Sequence, residues 1–422
     1  MKNLLFSSIL LMTPATLSAA VTSAAVDDAS KSHLSLKGAD DAAVNGVDSV
    51  NWEKDLEEVV VTGTRTQKFL KDTPIQTRVI SSKDIARLDA TNVQDLLQQE
   101  LPGVEFSYAM NQQTHLNFSG FGGQGVLFLV DGERLAGETM DDVDFTRLSM
   151  DNVQRIEIVK GAASALYGSN ATGGVINIIT KRSLDPWTLN VNARLSKHNE
   201  QRYGASFGLN GSHWNNMLTA NWNRRDNYDV HSAANPVTHV ISTVYGDKTL
   251  NLKDQLTWNP VSGFSLTGKA GYFFRETVRS AAQPERYRDF TGGLRMNWTI
   301  SADDALTASY NFDQYDKSDY QRITRKDIRD YSNVQNTFRM LYNHSFEDGD
   351  VLTVGADYLH DYLYNTNLEG STRKQDSFDV FYQYDWRISD KWEAVGAVRY
   401  DYFSDGKDSH LTPKINLCYK PT

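Results

Sequence analysis

The chain has 422 residues, with 43 Lys and Arg against 53 Asp and Glu and a formal net charge of −10; this argues against nucleic acid as a partner, which calls for a basic excess. Charged residues at 23% and apolar residues at 40% exclude both wholesale disorder and a bundle of membrane helices. Cys418 is the one cysteine, so an intrachain disulfide and a cysteine-rich zinc site are ruled out, and 20 Tyr with 8 Trp point to a β-rich chain stabilised by strand pairing.

Residues 1–20 read as a secretory signal peptide: Lys2, an apolar run from Leu4 to Met12, and the small residues Ser18, Ala19 and Ala20 at a cleavage site. No later stretch is apolar over the ~18 residues that a membrane helix needs. Residues 21–56 show no sustained period and are expected to form a flexible tether. The region 57–66 carries Glu58, Val59, Val60, Val61, Thr62 and Gly63. This β-branched run suits either addition to a partner's sheet edge or the first strand of the next domain.

Residues 67–182 alternate short helix and strand signals within one domain's length, a mixed α/β pattern. Val79 and Ile80 read as strand, and Ser82 as the cap of a helix carrying Ile85 and Leu88. A second helix starts at Thr91 or Asn92, with Val93, Leu96 and Leu97 on one face, and stops at Pro102 and Gly103. Leu127 to Val130 is a strand ended by the hairpin-turn pair Asp131 and Gly132. Arg155 to Val159 alternates like a half-buried strand, and Val175 to Ile179 reads as a buried one. Gly120, Gly122 and Gly125 match a dinucleotide-binding GxGxxG pattern, but a strand is expected after them where that site needs a helix N-terminus. A flexible, ligand-facing loop is the better reading.

The stretch from Arg155 to Lys181, RIEIVKGAASALYGSNATGGVINIITK, closely resembles the plug domain of TonB-dependent outer-membrane receptors. Pro74, the Leu101 to Val104 stop and the Phe128 to Gly132 turn fall where that family has counterparts. The run from Glu58 to Gly63 resembles its TonB box, which resolves the region 57–66 as a partner-binding segment. The stretch from Phe128 to Lys160 is most similar to the haem and colicin-receptor branch.

Residues 186–422 show about twelve strands of roughly ten residues, the length a tilted strand needs to cross a bilayer. Leu266, Gly268, Ala270, Tyr272 and Phe274 share one face against Ser265, Thr267, Lys269 and Gly271. Phe290, Leu294, Met296, Trp298 and Ile300 likewise oppose Thr291, Arg295, Asn297 and Thr299. Tight turns near residues 210–212, 259–263, 301–304, 347–350 and 389–391 alternate with longer connections at 226–248, 277–286, 317–330 and 365–375. That parity belongs to a barrel with short periplasmic turns and long external loops. Trp222, Trp258, Trp298, Trp386 and Trp392 lie near strand ends, where interfacial girdles form.

A plug of about 115 residues is roughly 34 Å across, whereas twelve tilted strands close into a cylinder of only roughly 24 Å. About twenty-two strands, as in the family resembled, give roughly 43 Å. The fold class expected is therefore a mixed α/β plug followed by part of a 22-stranded antiparallel transmembrane β-barrel. The chain also ends without the aromatic residue usual in such barrels. It is expected to be the N-terminal part of a larger receptor, as a fragment or a truncated product.

The resemblance implies a non-enzymatic receptor, monomeric as a barrel, in the outer membrane of a Gram-negative bacterium. Its partners would be TonB with ExbB and ExbD, outer-membrane lipid and a small-molecule nutrient, with no nucleic acid. No nucleophile elbow, HExxH or arranged catalytic carboxylate pair is present. Arg155 and Lys160 are expected to pair with barrel carboxylates. For the nutrient, haem or another iron complex leads, with His115 as candidate axial ligand to the haem iron and Phe121, Gln124, His231 and His239 as further ligand-binding candidates. A corrinoid or ferric siderophore is the alternative within the class, and a surface binding or adhesion protein the alternative from another.

Overall fold

The computed structural model describes residues 59–60, 62–63, 65, 68–70, 73, 75–90, 92–108, 114–137, 143–161, 163–232, 235–278 and 282–420. The expected signal peptide and tether lie outside them.

The first strands are β1 (Val59–Val60), β2 (Lys68–Phe69) and β3 (Thr77–Ile80). Helix α1 (Ser82–Leu88) is capped by Ser81, one residue before the position expected. The Ser81 hydroxyl accepts from the Asp84 N–H while the Asp84 carboxylate accepts from the Ser81 N–H, satisfying two orphan donors at once. Helix α2 (Val93–Glu100) is capped by Asn92 and buries Val93, Leu96 and Leu97 on one face. Then come β4 (Val104–Tyr108), β5 (Thr114–Phe118), β6 (Phe121–Gly122), β7 (Val126–Val130), β8 (Glu133–Arg134), β9 (Val153–Lys160), the short helix α3 (Ser164–Tyr167) and β10 (Gly174–Thr180).

Strands β3, β9, β10, β7 and β8 form one sheet in that order, with β10 parallel to β7 and the other pairs antiparallel. Strands β4, β5 and β6 form a second, small sheet. The tight β7–β8 turn places Asp131 and Gly132 at φ of 50° and 83°, the left-handed pair that a two-residue hairpin requires. The core joins α2 to both sheets through Leu96, Leu97, Phe118, Phe128, Ile156 and Ile176, each full burial contributing about 1.5–3 kcal/mol. Phe145 stacks edge-on against Phe106 and Phe128.

Around this plug runs a single antiparallel sheet of twelve strands: β11 (Trp187–Ser196), β12 (Glu200–Asn210), β13 (Trp214–Arg225), β16 (Asp247–Val261), β17 (Phe264–Thr277), β18 (Glu285–Thr299), β19 (Asp304–Gln321), β20 (Lys326–Ser345), β21 (Val351–Asn365), β22 (Thr372–Trp386), β23 (Trp392–Phe403) and β24 (Asp408–Tyr419). The sheet is not closed: among the described residues β11 pairs only with β12, and β24 only with β23.

Alternation holds along most of the wall, with register shifts at Trp258/Val261 and Lys317/Ser318 and with β11 exposed on both parities. Leu218, Leu252, Leu256, Leu294, Phe338, Phe378 and Tyr400 are exposed on the outer face, while the opposite parity faces the plug. Trp214, Trp258, Trp298, Trp386 and Trp392 line the outer face at the short-turn end. Two expectations are corrected. The connection 226–248 folds as a hairpin of β14 (Tyr228–Ser232) and β15 (Asn235–Val244). Residues 317–330 are mostly strand, because β19 continues to Gln321 and β20 resumes at Lys326. At 18 and 20 residues, these two strands outrun the roughly ten that a tilted crossing needs.

Candidate functional site: the plug and its attachment to the wall

The segment resembling a TonB box is folded back onto the plug. Val59 and Val60 pair with Phe69 and Lys68, and Val60 is buried. The Thr62 N–H and hydroxyl both donate to Glu157 Oε2, at 2.9 and 2.7 Å. Asn177 Nδ2 donates to Thr62 Oγ1 at 3.0 Å, and the Tyr167 hydroxyl donates to the Thr62 carbonyl at 2.9 Å. Every hydrogen-bonding group of Thr62 is thus held by β9, β10 or α3. A side chain at Gly63 would displace its neighbours: a Cβ there would lie 2.8 Å from Thr73 Cγ2 and 2.9 Å from Thr77 Oγ1. Glu58 and Val61 lie outside the described residues.

Two residues on, Arg65 reaches the wall. Its side chain is 4% exposed, with Nη1 3.6 Å from Asp357 Oδ2 on β21, and its guanidinium stacks on the Tyr167 and Phe381 rings at 4.4 and 4.7 Å. Burial, reinforced by neighbouring Arg339, lowers its pKa to about 10, still far above neutrality.

Further crossings from plug to wall follow the same pattern. Asp131 meets Lys269 at 2.7 Å and accepts from the Thr180 N–H. Burial alone would raise its pKa, but Lys269 outweighs this and holds it at about 2. Glu133 pairs with Arg295, while Arg339 donates to the Gly132 carbonyl at 2.8 Å and pairs with Asp357 at 2.8 Å. Arg147, 2% exposed, lies 3.2 Å from Asp289 and 3.9 Å from Asp313, and these two carboxylates overcome its burial to raise its pKa. Asp144 accepts from Arg275 at 3.2 Å and from the Tyr315 hydroxyl at 2.7 Å. Burial again opposes ionisation, but Arg275 prevails and its pKa is lowered. The Ala136 and Gly137 N–H groups donate to Asp313 and Asn333, each at 2.8 Å.

The sequence reading singled out other residues for this attachment. Arg155 binds Glu157 of its own strand at 2.8 Å, a plug carboxylate where a barrel one was expected. The expectation missed that i and i+2 side chains share one face of a strand. Lys160 is half-buried, its N–H donating to the Gln76 carbonyl. The signal for the true crossings was the wall's plug-facing parity, on which Lys269, Arg275, Arg295, Arg339 and Arg399, the last donating to the Leu166 carbonyl at 3.4 Å, recur.

The ligand candidates are not gathered in one place by the described contacts. His115 is exposed on β5, where Thr114, Leu116 and Phe118 face the core. Gly123–Gly125 forms a 3₁₀ turn followed by β7, so no helix N-terminus is offered to a dinucleotide. The loop is tied down by the Gly173 N–H on the Gly125 carbonyl at 2.7 Å. Phe121 lies over Gly173, where a Cβ would come within 2.7 Å of it, while Gln124 is exposed. His231 is exposed on β14; His239 is on β15, its side chain outside the described set. No group of three or more His, Cys, Asp or Glu among the described residues is arranged to hold a metal ion.

A mixed-sheet plug bound by buried ion pairs to the inner face of an antiparallel wall defines a plugged β-barrel protein. Residues 70–175 match the family model described as TonB-dependent Receptor Plug Domain, and residues 236–422 match TonB dependent receptor-like, beta-barrel. The chain therefore belongs to the TonB-dependent receptor family. It is 25% identical over 373 residues to the vitamin B12 transporter BtuB of Photobacterium profundum, covering 85% of this chain and 58% of that protein. Among solved structures, it resembles the ferric enterobactin receptor PfeA of Pseudomonas aeruginosa with a TM-score of 0.71 at 16% identity, covering 86% of this chain and 62% of that one. The siderophore receptor PirA of Pseudomonas aeruginosa gives 0.63 at 20% identity, covering 82% and 59%. The structural likeness shows the fold, and the chain spans about three fifths of the length of each of these relatives.

Proposed function

We propose that the protein acts in energy-coupled uptake of a scarce nutrient across the outer membrane, as a receptor whose segment 58–63 is drawn on by TonB with ExbB and ExbD. The observation that carries this reading is the attachment of that segment. It is held to the plug sheet through Thr62 and to the wall through Arg65 and Asp357, so displacement of either anchor bears on the other. An extended segment with β-branched residues also suits strand addition to a partner. The run of alternating strands and the tryptophan girdle support membrane insertion.

The relatives' nutrients, vitamin B12 and ferric siderophores, favour a metal-containing complex of corrinoid or siderophore type. Haem stands on exposed His115 and the branch resemblance. A purely adhesive role leaves the anchored segment without a purpose. Titrating the purified protein with cobalamin, a ferric catecholate and haem separates these ligands. Saturable binding of the first or second supports the reading, haem binding lost in His115→Ala moves the assignment to haem, and binding of none contradicts a nutrient receptor of this kind.

A further inference from the structure

On the outer face of the wall, at the long-connection end, the register lines up a row of Lys248, Glu276, Arg286, Ser318 and Arg329 across β16–β20. Arg288 lies one step below, beside Phe274, and Arg322 above. About ten residues separate Trp298, in the girdle at the short-turn end, from Arg288, which is one tilted bilayer crossing. The arginines therefore stand at the opposite membrane boundary, immediately beyond exposed Phe290 and Leu294.

The cluster is layered by charge only in part, since Asp327, 35% exposed, is less buried than Arg286 at 20% and Arg288 at 25%. Glu276 and Asp316 have side chains only 9% and 10% exposed, whereas Arg322 and Arg329 are 48% and 55% exposed. Arg286 donates to Glu276 at 2.9 Å and lies 3.4 Å from Asp327, with its guanidinium 3.3 Å from the centre of the Tyr320 ring. Arg288 pairs with Asp327 at 2.9 Å and donates to Ser318 at 3.3 Å. Glu276, Asp316 and Asp327 fix the guanidiniums, and the aromatic ring restrains Arg286 further. Each guanidinium has five N–H donors in a planar fork that matches phosphate, and the contacts above use one or two of them.

We infer that this patch, on Arg286, Arg288, Arg322 and Arg329, binds the phosphorylated headgroup of a lipid in the surrounding leaflet. Charge complementarity names the occupant: Lys248, Arg286, Arg288, Arg322 and Arg329 against Glu276, Asp316 and Asp327 leave a cationic excess at headgroup height on a lipid-facing wall. This rests on the membrane reading of the wall.

The test floats the full chain with vesicles of phosphatidylcholine alone and of phosphatidylcholine with lipid A, then measures lipid A retained after detergent exchange. Wild type should retain it, and Arg286→Ala/Arg288→Ala should reduce retention at least ten-fold. The exposed pair Arg322→Gln/Arg329→Gln, which leaves the strand-packed arginines in place, should reduce it several-fold. Equal retention by wild type and both variants overturns the patch, as does complete displacement by inorganic phosphate, which would assign it to a free anion. Failure of wild type to float with either vesicle overturns the membrane reading itself, and the patch with it.

Discussion

Thr62→Val replaces the clasped hydroxyl with a methyl of nearly equal volume. The Glu157 carboxylate loses its 2.7 Å hydroxyl donor and keeps the backbone one, while Asn177 Nδ2 loses its acceptor. A hydrogen bond to a charged group contributes about 1.5–3 kcal/mol, and a stranded buried donor adds to the loss. The substitution should therefore destabilise the tucked segment by about 2 kcal/mol, raising its open population about 30-fold. The readout is maleimide labelling of Val60→Cys, a buried position, in a Cys418→Ser background. Labelling should accelerate by that order in Thr62→Val and again in Asp357→Asn, which removes the wall anchor of Arg65. An unchanged rate in Thr62→Val would refute the clasp.

Arg147→Ala leaves Asp289 and Asp313 buried without their shared cation; loss of one partner of a buried pair costs about 3–5 kcal/mol. Proteolysis of the plug should rise steeply, and a resistance equal to wild type would contradict the pairing. Acid should act on the same boundary. Asp131, held at about 2 against a usual 3.8, contributes stability that is fully present above pH 4 and is lost as pH falls towards 2, worth roughly 2 kcal/mol. Plug protection measured by hydrogen exchange should decline through that window in wild type and less in Asp131→Asn; identical profiles would remove Asp131 from the account.

The wall was the most legible part of the sequence, because a strand with one face towards lipid and the other towards a packed plug must alternate. Leu266 to Phe274 and Phe290 to Ile300 announced their faces directly. Less legible was how far strands run, since beyond the membrane β19 and β20 alternate without lipid to enforce apolarity, and Tyr320, Asp327 and Arg329 read as loop. The plug sheet was visible in the apolar strands β7 and β10. Its attachments were not, because Asp131, Asp144 and Arg147 find partners 130 to 170 positions away. No local pattern specifies such a pair, whereas the contact Arg155 makes with Glu157, two residues along the same strand, is a local one. Thr62 looked like a free partner-binding residue until β9 and β10 were placed beside it.

The central claim is that segment 58–63 couples this receptor to an energy source, and the most direct measurement is uptake of radiolabelled nutrient by cells carrying wild type or a deletion of 58–63, with surface binding measured alongside. The account predicts that the deletion abolishes uptake while binding stays intact, and that discharging the membrane potential in wild-type cells has the same effect. Uptake that survives the deletion would contradict it.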